Sequence, residues 1–165
     1  MKPAYVALGS NLADPIAQVQ QAMLALEQIP NTRVIKKSSL YQTAPIGYAH
    51  ADLAQVPDFI NAVVALETDL SPLALLQALF AIENSAGRVR PYPNAPRVLD
   101  CDLLLYADVI LNSEQLTLPH PRMHSRGFVL LPLFEIAPQL SLENHGKIEL
   151  LIDTQLVTGI KKLSA

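Results

Sequence analysis

Short apolar stretches and helical apolar periodicities alternate along this chain. Tyr5 to Leu8 predicts a strand that ends at Gly9-Ser10-Asn11. Asp14-Pro15 supplies a helix cap followed by proline at the first helical position. Ile16, Val19, Met23, Leu26 and Ile29 then recur at helical spacing up to a stop at Pro30-Asn31. Arg33 to Tyr41 predicts a second strand. Asp58 to Thr68 predicts a third, with Ile60, Ala62, Val64 and Leu66 on one face and Phe59, Asn61, Val63 and Ala65 on the other. Ser71-Pro72 repeats the cap-and-proline pattern for a second helix, with Leu75, Leu76, Leu79 and Ile82 on its apolar side and an end near Gly87. The run Pro96-Arg97-Val98-Leu99-Asp100-Cys101-Asp102-Leu103-Leu104-Leu105-Tyr106 carries the fourth strand.

That order predicts an α+β domain: a ferredoxin-like βαββαβ sandwich whose helices lie on one face of an antiparallel sheet and leave the other face open. A C-terminal extension follows from Leu118, helical through Phe128 to Pro138, with Pro132 expected in an early turn where its missing N–H is harmless. We expect a single domain over residues 1–165.

Composition narrows the function classes. Twelve basic and 15 acidic residues give a net charge of −3, so neither nucleic acid nor an anionic membrane is an expected partner. The one cysteine, Cys101, excludes an intramolecular disulfide and a thiolate metal cluster, and its place among apolar residues suits a packing role. The N-terminus lacks the pattern of a signal peptide and no apolar run reaches membrane-spanning length, so a cytoplasmic location is expected.

The chemistry concentrates around Asp100 and Asp102. One residue apart on a strand, they share a face, with Leu99, Cys101, Leu103 and Leu105 on the other. Two like charges side by side call for a cation, and paired hard oxygens suit Mg²⁺ with phosphate. Alone, the pair also suits a solvated strand end, a nucleotidyltransferase or a glycosyltransferase. Just upstream, the segment Gly87 to Arg97 holds Arg88, Arg90 and Arg97, planar donors matched to phosphate oxygens, although a solvated basic loop reads the same way. His120 stands between Pro119 and Pro121, and His124 and Arg126 follow as further candidate phosphate donors. The Ile46 to Pro57 connection is long enough to be a binding loop. No Walker-type glycine loop is present.

Together these residues resemble one family across essentially the whole chain. Gly9-Ser10-Asn11-Leu12, Tyr41-Gln42-Thr43-Ala44-Pro45-Ile46-Gly47, Asp58-Phe59-Ile60-Asn61-Ala62, Glu83 with Gly87-Arg88-Val89-Arg90, Pro96 to Asp102, Leu118-Pro119-His120 and Arg126-Gly127-Phe128 match, in order, the motifs of the 6-hydroxymethyl-7,8-dihydropterin pyrophosphokinases. The resemblance implies transfer of diphosphate from ATP to the hydroxymethyl group of 6-hydroxymethyl-7,8-dihydropterin, with release of AMP, in folate biosynthesis. It implies that Asp100 and Asp102 hold two Mg²⁺ ions and that Arg88 and Arg97 act with them in catalysis. Glu83, Arg90, Arg97, Leu103, Leu116, Thr117, His120 and Arg126 would line the ATP site. Thr43, Ala44, Ile46, Phe59, Asn61 and Phe128 would hold the pterin, between the rings of Phe59 and Phe128. A monomer is the expected assembly. The chain departs from the family pattern at Asn94, where tryptophan is common, at Phe59 in place of tyrosine, at Pro121 in place of tyrosine, and at Phe80 in place of a polar residue.

Overall fold

A computed structural model describes residues 1–44, 58–86 and 98–163. Its elements run β1 (Lys2–Ser10), α1 (Pro15–Glu27), β2 (Thr32–Lys37), β3 (Tyr41–Thr43), β4 (Phe59–Thr68), α2 (Pro72–Ser85), β5 (Asp100–Tyr106), β6 (Leu111–Asn112) and β7 (Thr117–Leu118). A 3₁₀ turn (Met123–Ser125) leads into α3 (Gly127–Ile136), and then come β8 (Ser141–Leu142), β9 (Gly146–Lys147), α4 (Ile148–Leu151), α5 (Thr154–Val157) and β10 (Lys161–Lys162). The fold is α+β. Its main sheet is antiparallel throughout, in the order β10-β3-β4-β1-β5, with β2 also pairing β4.

Both helix caps form as the sequence predicts. The Asp14 side chain accepts from the Ala17 N–H at 3.4 Å and the Ser71 hydroxyl oxygen from the Ala74 N–H at 3.2 Å, with a proline opening each helix. Each helix turns its apolar stripe onto one face of the sheet. Val19, Met23 and Leu26 of α1 and Leu75 and Leu79 of α2 pack with Val6, Leu8, Ala62, Val64 and Cys101. The predicted strand from Arg33 to Tyr41 is instead two strands, β2 and β3. The Ser38 hydroxyl oxygen accepts the Val63 N–H between them, taking the place of a ladder bond.

Three expectations are corrected. The second face of the sheet is not left open: α1 and α2 share one face as expected, while Val129, Leu130, Leu133 and Ile136 of α3 pack on Ala7, Val63, Ala65, Leu104 and Leu105 of the other as a second core. This follows because both partners are apolar there, and packing them together takes that surface out of water. Pro132 lies in the interior of α3, where the missing N–H removes a helical bond, and its buried ring adds to that packing. Leu105 belongs to the second face, not with Leu103. The register shifts between Tyr5 and Val6, so that Val6 pairs Leu103 while Tyr5 pairs Leu105 and Leu104 is the extra residue of a bulge. The freed Leu104 carbonyl accepts the His120 N–H at 2.9 Å.

Candidate active site

The sheet register assembles the centre of the site. Asn61 of β4 pairs Gly9 of β1, and Gly9 pairs Asp100 of β5; one pleat further on, Val63, Ala7 and Asp102 form the same kind of row. Directly paired residues project to the same face, so Asn61 and both aspartates rise from one side with only Ala7 and Gly9 between them. Neighbouring strands lie roughly 5 Å apart, so the flanking strands bracket a floor roughly 10 Å wide. Small residues are required on that floor. A Cβ on Gly9 would meet Asn61 Oδ1 at 2.9 Å. The adjoining Ser10 hydroxyl donates to the Val98 carbonyl and ties the end of β1 to the start of β5.

Above the floor is a cavity of about 600 Å³ lined by Thr43, Ala44, Phe59, Asn61, Asp100, Asp102, Arg126 and Phe128. Thr43 stands directly across the ladder from Phe59. Phe128, in the first turn of α3, adds a second phenyl ring to the lining, with the Arg126 guanidinium 5.7 Å from its ring centroid. Asn61 is 6% exposed, and its Nδ2 is, among the described residues, the one buried side-chain nitrogen or oxygen without a hydrogen-bond partner. Such a donor is costly unless a ligand accepts from it. The arrangement therefore suits a flat ring with a polar edge.

A second cavity, of about 310 Å³, lies on the other side of β5 and includes Phe80, Glu83, Asp102, Leu103, Leu116, Thr117, His120 and Pro121 in its walls. Glu83 follows Leu75 and Leu79 at four-residue steps, which turns it inward, and it is 2% exposed. Its carboxylate accepts the Cys101 N–H at 2.9 Å. Because β5 is an edge strand, that outward N–H has no strand to pair with, and the carboxylate supplies the acceptor midway between the two aspartates. Burial pushes the Cys101 thiol well above its ordinary value, and the charges of Glu83, Asp102 and Asp100 push it further. Cys101 is thus a packing residue inside an acidic field, a field that favours a bound cation.

His120 is held neutral. Burial, and then the charges of Arg126 and Arg122, lower its pKa from 6.5 to about 4. The Arg122 N–H donates to its Nδ1 at 3.1 Å, which assigns the proton to Nε2 and makes that nitrogen a donor. The prolines beside it do not act alone in fixing the ring, since the Leu104 bulge anchors its backbone.

The structure brings together Thr43, Ala44, Phe59, Asn61 and Phe128 in the first cavity, and Glu83, Leu103, Leu116, Thr117 and His120 in the second, with Asp102 common to both. Arg126 lies with the first group. His124, a candidate phosphate donor, lines neither and instead stacks on His145, ring centroids 3.8 Å apart. Ile46, Arg88, Arg90 and Arg97 lie outside the described residues. Sequence reasoning missed Leu156, Thr158, Gly159 and Ile160, which also line the larger cavity.

The family model for 7,8-dihydro-6-hydroxymethylpterin-pyrophosphokinase matches residues 5–138. The chain belongs to this family. It is accordingly a pyrophosphokinase, a transferase that acts on a pterin in folate biosynthesis. It is 47% identical over 152 residues to a 2-amino-4-hydroxy-6-hydroxymethyldihydropteridine pyrophosphokinase of Haemophilus influenzae, covering 92% of each chain. It is 45% identical over 159 residues to the protein of the same name in Pseudomonas aeruginosa, covering 96% of this chain and 95% of that one. Among solved structures, an HPPK-DHPS in complex with substrates superposes with a TM-score of 0.77 at 14% identity, over 99% of this chain and 47% of that one. Plasmodium falciparum HPPK-DHPS with pteroate gives 0.75 at 14%, over 99% and 46%. The chain thus spans about half the length of those two proteins, and at that identity the likeness is one of fold. Among the described residues no helix is long and apolar enough to cross a membrane.

Proposed function

We propose that the two cavities hold the two substrates of one transfer, 6-hydroxymethyl-7,8-dihydropterin in the larger and ATP in the smaller, with diphosphate passing to the pterin hydroxymethyl group and AMP released. The observation that carries this reading is Asp102, a wall of both cavities, with Asp100 beside it. The order β3-β4-β1-β5, with β2 also pairing β4, supports reading the sheet as a ferredoxin-like sandwich with α3 and the C-terminal extension added on the second face.

Each residue then has a task its surroundings suit. Asn61 Nδ2 gives its unused hydrogen bond to the pterin's polar edge, and Phe59 and Phe128 cover the ring faces. His120, neutral with Nε2–H free to donate, binds phosphate without adding charge. Glu83 keeps the strand between the aspartates in register.

Asp100 and Asp102 are hard oxygen donors on one strand face in an acidic field, which fits Mg²⁺, an ion that leaves part of its shell for water and phosphate. No group of three or more His, Cys, Asp or Glu that could hold a metal occurs among the described residues. Two bound Mg²⁺ would offset the charge on the transferring phosphoryl oxygens. By family resemblance, Arg88 and Arg97 would stabilise the same charge and Arg90 would hold ATP. A cytoplasmic monomer completes the reading. The test is to incubate the purified chain with MgATP and the dihydropterin and identify the nucleotide product. AMP together with pterin diphosphate is expected. Free diphosphate would mean nucleotidyl transfer, and no turnover would leave a binding protein.

A further inference from the structure

The larger cavity is walled in part by a segment of the chain that lies beyond the residues the family model matches, 5–138. Leu156, Thr158, Gly159 and Ile160, from α5 and the turn into β10, stand in its wall. This wall is held from several directions. Lys161 and Lys162 pair with Gln42 and Tyr41 of β3, the strand that delivers Thr43, and the Leu163 N–H donates to the Leu40 carbonyl at 2.8 Å. The Glu135 carboxylate of α3 accepts from the Ser39 N–H and hydroxyl and from the Tyr41 hydroxyl, and lies 3.8 Å from Lys162 Nζ. At the start of α3 the fit is tight: a Cβ on Gly127 would sit 2.2 Å from the Leu156 carbonyl oxygen and 3.0 Å from Ile160 Cδ1. Contact that close to backbone leaves little room for the segment to move while α3 stays in place.

Ile160 stands apart from its neighbours. It is half-buried and apolar, yet belongs to neither core cluster, although Leu156 packs against the second. An apolar side chain that no core absorbs and that lines a cavity is available to a ligand. We infer that the α5–β10 segment is the size-limiting wall of the pterin cavity, and that Ile160 is a specificity-determining residue that restricts alkyl substituents on the dihydropterin ring. This inference rests on the proposed seating of the pterin in the larger cavity.

The experiment compares the intact chain with Ile160→Ala, Ile160→Val and Ile160→Phe. For each, kcat/KM is measured for 6-hydroxymethyl-7,8-dihydropterin and for a series of ring-alkylated analogues of rising bulk, and ATP affinity by calorimetry. A methylene or two in an apolar pocket shifts discrimination by about tenfold or more. Ile160→Ala is therefore expected to raise the ratio of bulky analogue to parent about tenfold, Ile160→Val less, and Ile160→Phe to lower it, with ATP affinity constant. Should Ile160→Phe fail to fold, the graded effect of Val and Ala still decides the matter. An unchanged ratio in folded Ile160→Ala and Ile160→Val overturns the inference. Asn61→Ala, run alongside, separates the two levels. If it leaves pterin affinity unaltered, the seating of the pterin is wrong and this inference falls with it. If it weakens the pterin while Ile160 variants change no ratio, the wall inference alone fails.

Discussion

The two cavities share Asp102 but are built differently. The larger rests on the backbone of the sheet. Ala7 and Gly9 make its floor, Asn61 and the aspartates flank it by register, and α3 and the C-terminal segment roof it. The smaller is walled by the side of α2, the outer edge of β5 and the 113–121 segment. A site cast into a sheet is selective because its spacing cannot adjust, and it carries an amide donor already desolvated. A site of helix side and turns gathers separate contacts, and here includes an imidazole kept neutral by burial and then by two nearby arginines. Substitutions in the floor should therefore harm one substrate sharply, and those in the cleft should act by degrees.

The largest effect is expected where the comparison breaks down. Asp102→Ala removes a wall of both cavities, and turnover should fall by about a thousandfold or more, since transition-state charge stabilisation is worth several kcal/mol. Asp100→Ala should act alike, with circular dichroism unchanged in both. Near-normal turnover in either would mean that the aspartates do not serve the transfer.

Asn61→Ala should weaken pterin binding by about 1 to 3 kcal/mol by removing a buried donor, and leave ATP binding alone. Gly9→Ala sharpens the point, because its Cβ would displace the same amide without removing it. Calorimetry on both substrates checks the pair. Equal losses for ATP and pterin would dissolve the distinction between the cavities.

Glu83 sits on the boundary. Glu83→Leu strands the Cys101 N–H and should cost about 1 to 2 kcal/mol of stability by urea unfolding, whereas Glu83→Gln keeps an oxygen acceptor and should lose less. Equal losses in the two variants would show that charge, not the hydrogen bond, is what matters there.

The smallest effect is in pH dependence. With its folded pKa lowered to about 4 from 6.5, His120 is neutral in the folded chain where the unfolded chain takes up a proton. The unfolded state binds more protons in that interval, so the contribution is complete above about pH 6.5 and is lost as pH falls towards about 4. Urea midpoints at pH 7 and pH 5 should differ less in His120→Asn than in the parent. The same drop in both would place the titration elsewhere.

Much of this was legible in the chain because it depends on local periodicity. The caps at Asp14 and Ser71, the alternation from Phe59 to Thr68, and the shared face of Asp100 and Asp102 are set by neighbours one to four residues away. The family motifs extended that reading to Asn61, Glu83 and His120. What local pattern cannot reveal is which apolar surface meets which. The Leu104 bulge that moves Leu105 to the other face, the cover of α3 on the second face, and the C-terminal wall at Ile160 all arise from contacts between segments far apart in sequence.

The sequence by itself determined the main strands and helices up to β5, apart from the break between β2 and β3, together with the aspartate pair and the reaction class, because strand alternation, capping chemistry and motif spacing are properties of short stretches. Tertiary structure alone decided that Asn61, Gly9 and Asp100 form one row, that Glu83 caps an edge strand instead of facing solvent, and that Ile160 lines the larger cavity. Those outcomes depend on the register between strands and on the filling of space between layers. Both are settled only when the whole chain buries its apolar surface at once.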